Sequence, residues 1–582
     1  MTTQDPLPDS ISAREPIAGP AGQLAHPDAV AHLERLQPRL YRVGDHAWCL
    51  VGNGLSNQTF IDAPEGLIAI DTGDCVEEMR AALAAVRTET DKPVIACIYS
   101  HFHYVNGTRA LLEESATRNL QIYGHAGIPA NLSRFGGEIA PRSSRGLVHQ
   151  FGLMLPEEGP DALLHCGLGL HLRNPAHAPF TPGYVPARHT FDDRLETRIG
   201  GLDVVMTHAP SDATDSITLW FPSLRLCVNN LIWPSLFNVF AIRGEEYRDP
   251  RIVIEGIDAI HELDPEHLIG THGPPLSGPE VADAVVDSRD AIQFIWDQTV
   301  RGINRGLRLS ELTRTVQLPS RFQRSYFTRQ LYGLVEHHVR QIHAGLFGWL
   351  DEDESRLFPV PEVERAEKLI AGFGGRDRVA QHAENAIADG DWRWAAELAT
   401  WLVRTPACDA SDRERLAAIL RHFATHTTSA NVRNWCLTRA LTLEGGIDLS
   451  RFLVHRFRRD DVLAAPPEHY VPVLRVLLEP SRAEGIDDEL AWHFAGGRRV
   501  GLKLRGQVAI PTDGRQATLS LGLSHETWAK ILSGRLTVED AESRNLLSCE
   551  GDRARIARFL DAFDHPALSP SSRNAPSGAR SA

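Results

Sequence analysis

The sequence predicts a multi-domain protein in which an α/β domain is followed by an all-α domain and a small α+β domain. A chain of 582 residues is too long to pack around one hydrophobic core. Strand-like runs alternate with helical periodicity up to about His272, and long amphipathic helices replace them from about Gly278 to Leu443. Strand and helix patterns mix again from about Asp461 to His565. These changes indicate three successive domains.

The composition of the two chain ends predicts tails without a packed core. The first residues are rich in Pro, Gly, Ala and Ser and lack the apolar stretch of a signal peptide, and the last are rich in Ser, Pro and Arg. The predicted boundaries are a flexible tail at 1–30, the α/β domain at 31–277, the helical domain at 278–445, the α+β domain at 446–565 and a disordered tail at 566–582.

Charge and cysteine usage narrow the class of protein. Acidic residues outnumber basic ones by 75 to 60, giving a formal charge of −15, which argues against nucleic acid as a partner. No apolar run approaches the roughly 18 residues that span a bilayer, so no integral membrane segment is expected. The 8 cysteines are scattered without CxxC pairs. This favours reduced thiols and a cytoplasmic location.

The α/β domain begins with strand-like runs between Leu40 and Ile70, closed by Asp71-Thr72-Gly73-Asp74. An amphipathic helical segment leads to a buried strand, Val94–Tyr99, which runs directly into Ser100-His101-Phe102-His103. The later elements of this domain are predicted strands at Asp203–Thr207, Ile217–Phe221 and Leu224–Val228, a helix over Pro250–Leu263 and a strand-loop at Leu268–His272.

The C-terminal domain combines both patterns. Alternation over Val500–Val508, a turn at Pro511–Gly514 and a run at Ala517–Leu521 predict strands. Helices are predicted around Glu526–Leu532 and Ala554–Phe563.

Two histidines at the end of an apolar strand are the first candidate metal ligands. His101 and His103 can both point from the open end of a sheet toward one ion, and zinc needs three or four such ligands. The remaining ligands must come from other loops next to predicted strands. Asp212 and His272 lie in such loops, which makes them the candidates.

Three segments carry a resemblance to a known family. Ser100-His101-Phe102-His103-Tyr104-Val105-Asn106-Gly107 resembles the His-x-His-x-Asp-His-x-Gly motif of metallo-β-lactamase-fold enzymes. Residues 212–222 and 237–250 are similar to the alkylsulfatase branch of that fold. The resemblance covers about residues 35–565. It implies an αββα metallo-β-lactamase fold, an all-α dimerisation domain and an α+β sterol-carrier-like domain.

Members of this family are binuclear zinc hydrolases, and the resemblance implies His101, His103 and Asp212 as ligands of the first metal. The second ligand set is degenerate. Val105 and Asn106 stand where the motif has Asp and His, and Asn230 stands at the bridging carboxylate. We therefore expect one zinc per chain, with His272 as a fourth ligand or a nearby acid or base. Asn106, Asn230 and His272 are predicted at the catalytic centre.

Arg243 and Arg248 are the candidate substrate-binding residues. In the family, the position of Arg243 contacts the substrate sulfate, and a guanidinium offers a planar fork of donors to an oxyanion. The alternative is that each arginine pairs with a nearby acid such as Glu245, Glu246 or Asp249.

The function that this resemblance implies is a homodimeric, metal-dependent hydrolase that attacks an alkyl sulfate ester or related amphiphilic or anionic small molecule with metal-activated water. Two alternatives remain open. Two histidines and one carboxylate are also the ligand set of mononuclear non-haem iron(II) enzymes, so Fe²⁺ and an oxidative reaction compete with hydrolysis. The other alternative is a non-catalytic, lipid-binding relative.

Overall fold

A computed structural model describes residues 14–114 and 120–569 of the chain. The chain divides into two compact units. The first contains the chain up to Pro129 together with Arg145–Asp448, and the second contains Ala130–Ser144 and the chain from Leu449 onward. The first unit therefore includes most of the predicted α/β domain and the predicted helical domain, while a short piece of the α/β region belongs to the second unit.

The structure differs from the predicted flexible tail at 1–30, of which residues 1–13 lie outside the described part. Residues after Arg14 form strands β1 (Ile17–Ala18) and β2 (Leu24–Ala25) and helix α1 (Pro27–His32). Tertiary contacts order this segment: the buried Arg433 side chain donates to the Leu24 carbonyl (3.2 Å), and His165 bonds to the Ala29 carbonyl (2.9 Å). Contacts between residues so far apart in the chain cannot be predicted from the local composition.

A seven-stranded mixed sheet forms the first half of a sandwich. Its strands are, in spatial and chain order, β3 (Arg39–Val43), β4 (Ala47–Val51), β5 (Gln58–Ala63), β6 (Gly66–Ile70), β7 (Val94–Ile98), β8 (Gln121–His125) and β9 (His189–Phe191). The pairs from β3 to β6 are antiparallel, and the pairs from β6 to β9 are parallel. The predicted strands up to Tyr99 are confirmed.

A six-stranded sheet forms the second half. Its strands are β10 (Arg194–Ile199), β11 (Leu202–His208), β12 (Ile217–Phe221), β13 (Leu226–Asn229), β14 (His267–Gly270) and β15 (Leu276–Ser277). Apolar side chains of both sheets, such as Ile98, Leu219 and Ile269, share one core between them. The predicted strand at Leu224–Val228 starts later, because Arg225 adopts a left-handed backbone conformation (φ 45°).

Helices of the first unit pack on both sheets of this sandwich. The α/β region contains the helices α2 (Val76–Val86), α3 (Thr108–Glu114), α4 (Ile128–Gly136), α5 (Ala140–Phe151) and α6 (Pro250–Leu263), of which most of α4 and the start of α5 belong to the second unit. Helix α2 packs on β4 and β5, and Ile257 and Ile260 of α6 join Leu268 in the core beside β14. The architecture is αββα, as predicted, and α6 has the predicted bounds.

The region after β15 is helical, as predicted. Its helices are α7 (Pro279–Asn304), α8 (Leu309–Thr315), α9 (Ser320–Arg324), α10 (Val335–Phe347), α11 (Glu362–Gly372), α12 (Arg376–Ala388), α13 (Trp392–Arg404), α14 (Ala410–His426) and α15 (Ala430–Leu443). Successive pairs from α12 to α15 pack against each other. Among the described helices, none is both long and apolar enough to cross a bilayer.

The second unit is built on a five-stranded sheet with the spatial order β18-β17-β16-β19-β20. Its elements are α16 (Arg459–Ala464), β16 (Asp488–Phe494), β17 (Arg498–Arg505), β18 (Val508–Thr512), β19 (Leu519–Leu523), α17 (His525–Leu532), α18 (Val538–Ser543), β20 (Leu547–Glu550) and α19 (Arg553–Asp561). The central strand β16 was not predicted. Of the predicted disordered tail, Ala567 and Leu568 are buried, and residues 570–582 lie outside the described part.

Candidate functional site

The site begins where strand β7 ends. Tyr99 and Ser100 continue the chain beyond β7 to His101, and a short 3₁₀ turn over Phe102–Tyr104 brings His103 back beside it. The Nε2 atom of His101 lies 3.1 Å from Nδ1 of His103. Residues two apart in an extended strand share a face but lie ~6.6 Å apart along it; here the turn brings the two ring nitrogens within reach of one ion.

Asp212, in the loop between β11 and β12, completes a group of three candidate ligands. Its carboxylate lies 3.6 Å from Nε2 of His101 and 3.2 Å from Nδ1 of His103. Within the described part of the chain, these three residues bring their ligand atoms within 4.8 Å of one another. Zinc bonds of 2.0–2.1 Å in tetrahedral geometry place ligand atoms ~3.3 Å apart. The donor set therefore fits a divalent metal.

The protonation states also suit a metal. Burial lowers the pKa of His101 to about 3, although the Asp212 carboxylate opposes this shift. Burial on its own would raise the pKa of Asp212, but the two histidines and Arg248 hold it well below its usual value. Near neutral pH the site thus presents a neutral imidazole at His101 and an ionised carboxylate at Asp212, which are the forms that coordinate metal.

A hydrogen-bond chain behind His101 fixes its ring. The hydroxyl of Ser100 donates to Asp71 (2.6 Å) and lies 2.7 Å from Nδ1 of His101. When Asp71 is ionised, the single hydroxyl proton of Ser100 is used on Asp71, so Nδ1 of His101 donates to the hydroxyl oxygen and the Nε2 lone pair is left for a metal. Burial raises the pKa of Asp71 to about 7, against the effect of its bonds from Ser100. Asp71 also has a left-handed backbone (φ 58°).

His272 lies beside this group but is not part of it. Its Nδ1 atom donates to the Leu55 carbonyl (3.0 Å), which leaves the Nε2 lone pair 3.5 Å from the Tyr104 hydroxyl oxygen. Burial lowers the pKa of His272 to about 4. A neutral histidine with an available lone pair can act as a base, and it could join a metal only after a shift toward the three ligands.

Asn230 contacts the ligand group directly. Its amide nitrogen donates to the Asp212 carboxylate, and its oxygen accepts from the Trp233 indole (3.1 Å). Asn106 lies differently: its backbone N–H bonds to the Gly73 carbonyl (3.1 Å), and among the described residues no contact of its side chain with the three ligands is found. The structure thus brings one of the two predicted asparagines to the site.

Arg243 is buried and paired. Its Nη2 atom lies 2.6 Å from Oε2 of Glu245, as the sequence alternative anticipated. Burial on its own would lower the pKa of Arg243, but Glu245, Tyr332, Asp212 and Tyr104 together raise it above its ordinary value. The guanidinium therefore remains charged close to the three candidate ligands.

Arg248 bonds to backbone atoms. Its guanidinium donates to the Asn238 carbonyl (2.6 Å) and to the carbonyl of Asp212 itself (3.0 Å). Burial lowers its pKa, although the attraction of Asp212 opposes this. Arg248 thereby anchors the Asp212 loop, and its predicted contact with a substrate stays a prediction.

Sequence reasoning missed several residues around the site. Glu245 was considered only as a salt-bridge partner, yet its Oε2 atom also lies 3.8 Å from Nε2 of His103. Tyr332, from the helical region, packs edge-to-face on Trp233, and its hydroxyl accepts from Gln150 (2.8 Å). For Glu245, the sequence offered one signal, its short spacing from Arg243. For Tyr332 it offered none, because only the fold places this residue near the site.

Comparisons with known proteins agree with this architecture. A family model described as alkyl sulfatase dimerisation matches residues 308–446. A linear primary-alkylsulfatase of Pseudomonas sp. is 32% identical over 522 residues, which span 87% of this chain and 98% of that protein. An alkyl/aryl-sulfatase of Saccharomyces cerevisiae is 27% identical over 545 residues, spanning 90% of this chain and 82% of that one.

A solved structure extends the likeness to the fold. The stereoselective inverting sec-alkylsulfatase Pisa1 from Pseudomonas sp. superposes with a TM-score of 0.83 at 23% identity. The superposition covers 94% of this chain and 92% of that one. At this identity the match shows a shared fold across both compact units.

Proposed function

The chain belongs to the alkylsulfatase family, and on that premise we propose that it hydrolyses an alkyl sulfate ester with a single metal ion held by His101, His103 and Asp212. The observation that carries this proposal is the convergence of those three ligand atoms, with spacings of 3.1, 3.2 and 3.6 Å. The relatives' shared activity as sulfatases makes hydrolysis the favoured chemistry over iron-dependent oxidation or simple lipid binding.

Zinc is the proposed metal, in one copy per chain. Three protein ligands drawn from histidine and carboxylate are typical of catalytic zinc sites, which keep a further position open. When bound, the metal supplies the Lewis acidity that activates water and offsets developing negative charge. A second ion lacks its ligands here, because Val105, Asn106 and Asn230 stand where the family motif has coordinating groups.

The remaining site residues bind and orient the ester. Arg243 offers a charged fork of donors to the sulfate group. His272 is neutral because burial lowers its pKa to about 4, and its Nε2 lone pair is the atom that would accept a proton. The buried aromatic rings of Tyr104, Trp233 and Tyr332 exclude water beside it.

The proposed substrate is a linear primary alkyl sulfate, the substrate named for the 32% identical relative. Hydrolysis adds water across the ester to give an alcohol and hydrogen sulfate. We further propose that the second unit, a five-stranded sheet with one apolar core, is the sterol-carrier-like module. The cytoplasmic location stays a prediction.

The proposed homodimer forms through the helical region. The segment from the end of α10 to the start of α11 carries large apolar side chains that face solvent in one chain, including Phe347 at 56%, Trp349 at 70% and Phe358 at 87% exposure. This apolar segment, residues 346–363, lies inside the range matched by the alkyl sulfatase dimerisation model. Exposed patches of this kind typically mark protein interfaces.

Metal analysis and sulfate release test the proposal together. Protein purified without added metal is analysed by inductively coupled plasma mass spectrometry, and inorganic sulfate release from dodecyl sulfate is measured. We expect about one zinc per chain and sulfate release that is lost in His101→Ala. The matched control His46→Ala, at an exposed histidine, retains both.

Other outcomes overturn parts of the proposal. About two metals per chain would contradict the loss of the second site. One iron per chain with oxygen consumption would replace hydrolysis by the oxidative alternative, and unchanged sulfate release in His101→Ala would contradict the metal-dependent mechanism.

A further inference from the structure

We propose that Glu245 is a positioning residue that couples the metal ligand His103 to the anion-binding Arg243. This inference rests on the proposed metal site. The Glu245 side chain is 5% exposed, and a single oxygen, Oε2, faces both neighbours. It lies 2.6 Å from Nη2 of Arg243 and 3.8 Å from Nε2 of His103.

The orientation of His103 explains why Glu245 matters to the metal. The Nδ1 atom of His103 faces the other two ligands, at 3.1 Å from His101 and 3.2 Å from Asp212. A metal on Nδ1 leaves the proton on Nε2, at the opposite edge of the ring. Histidines that bind metal almost always donate this second N–H to a carboxylate, a carbonyl or water. Glu245 lies where that acceptor belongs.

The distance requires a small adjustment. A hydrogen bond between a ring nitrogen and a carboxylate is about 2.9 Å long, so His103 and Glu245 must approach by about 0.9 Å. Rotation of the His103 ring onto a metal, or a change of the Glu245 rotamer, covers this distance. His103 is the more exposed of the two, with 18% of its side chain accessible compared with 5% for Glu245.

The second contact of Glu245 links metal binding to anion binding. The same oxygen that would accept from His103 already accepts from Arg243, so its position is set by a buried charge-assisted bond. An anion that binds Arg243 competes with this carboxylate for the guanidinium, and a metal that orders His103 directs the Nε2–H of His103 toward the same carboxylate from the other side. Glu245 therefore couples the two halves of the site.

Metal affinity, measured without substrate, tests this role. Zinc affinity is determined by competition with a chromophoric chelator for the full-length protein and for Glu245→Gln, Glu245→Asp and Glu245→Ala. We expect roughly 10-fold weaker binding in Glu245→Gln and up to about 100-fold in Glu245→Ala, the range typical for such outer partners. Glu245→Asp, which keeps the charge, is expected to fall between the unaltered protein and Glu245→Gln.

A matched control and a spectroscopic readout separate positioning from general loss of structure. Glu255→Gln makes the same change at an exposed glutamate of α6 and should leave zinc affinity unchanged. In Co²⁺-substituted protein, Glu245→Gln should shift the visible absorption bands, which report the ligand field at the ion, while the far-ultraviolet circular dichroism stays the same. If Glu245→Ala fails to fold, the zinc affinity of the near-isosteric Glu245→Gln tests the inference.

Two results overturn the inference. One is zinc affinity within twofold of the unaltered protein in all three Glu245 variants, and the other is an unchanged Co²⁺ spectrum in Glu245→Gln. This failure is distinct from failure of the proposed function, in which the unaltered protein binds zinc but releases no sulfate.

Discussion

The side-chain amide of Asn230 donates a hydrogen bond to the carboxylate of Asp212, and the Trp233 indole fixes the other end of that amide. At this position the family resemblance places a carboxylate that bridges two metals. In this chain a neutral group instead donates to Asp212, the candidate ligand of the first metal. The change converts a coordinating position into one that orients Asp212.

Asn230→Asp should destabilise the metal-free protein, because two carboxylates would then face each other in a buried site. We expect a loss of about 1–3 kcal/mol in unfolding free energy. Added zinc should recover part of it, giving a larger metal-induced rise in melting temperature than in the unaltered protein. Asn385→Asp, at an exposed helix position, is the control. Equal melting temperatures without metal would contradict the assigned contact.

Arg248→Met should destabilise the protein and weaken metal binding. The substitution leaves two buried carbonyls, those of Asn238 and Asp212, without their donor. At about 1–3 kcal/mol for each unsatisfied group, the expected cost is about 2–6 kcal/mol by urea unfolding. Arg251→Met, at an arginine on the solvent side of α6, should change little. A small effect of Arg248→Met on both stability and zinc affinity would rule out the anchoring role.

The buried His165 should contribute to acid sensitivity. Burial lowers its pKa to about 3 in the folded state, below the ordinary 6.5. Between pH 6.5 and pH 3 this histidine is protonated in the unfolded chain but neutral in the folded protein. The contribution of His165 to the free energy of unfolding is therefore largest above about pH 6.5 and falls as the pH drops. His165→Gln should reduce the slope of unfolding free energy by ~1.4 kcal/mol per pH unit between pH 6 and pH 4. Urea titrations of the metal-free protein at several pH values measure this slope. An unchanged slope in His165→Gln would contradict the prediction.

Charges in the apolar segment should disrupt the proposed dimer. Trp349→Glu combined with Phe358→Glu places two carboxylates on side chains that are 70% and 87% exposed in one chain. We expect light scattering to show a shift from about twice the 64.3 kDa chain mass toward one chain mass. Val508→Glu, on a 54% exposed side chain of the second unit, should leave the mass unchanged. A double variant that stays dimeric would place the interface elsewhere.

Local sequence patterns predicted much of the fold and part of the candidate site. The run from β7 into His101 and His103 is continuous in the chain, so periodicity and motif spacing predicted both histidines and the strand that positions them. Asp212 was predicted from its loop and from the family resemblance. The short N-terminal strands were missed because contacts from Arg433 and His165, distant in the chain, order that segment. The central strand β16, which pairs with β17 and β19, was also missed.

By itself, the sequence determined the αββα core, the helical region and the identity of the three candidate ligands, since hydrophobic periodicity and motif spacing are properties of neighbouring residues. Only the tertiary structure decided which polar groups meet: Asn230 with Asp212, Arg248 with the Asp212 backbone, and Glu245 between Arg243 and His103. Most of these partners come from separate loops gathered at one end of the sandwich. Burial then makes their pairing obligatory, because an unpaired polar group loses its hydration there.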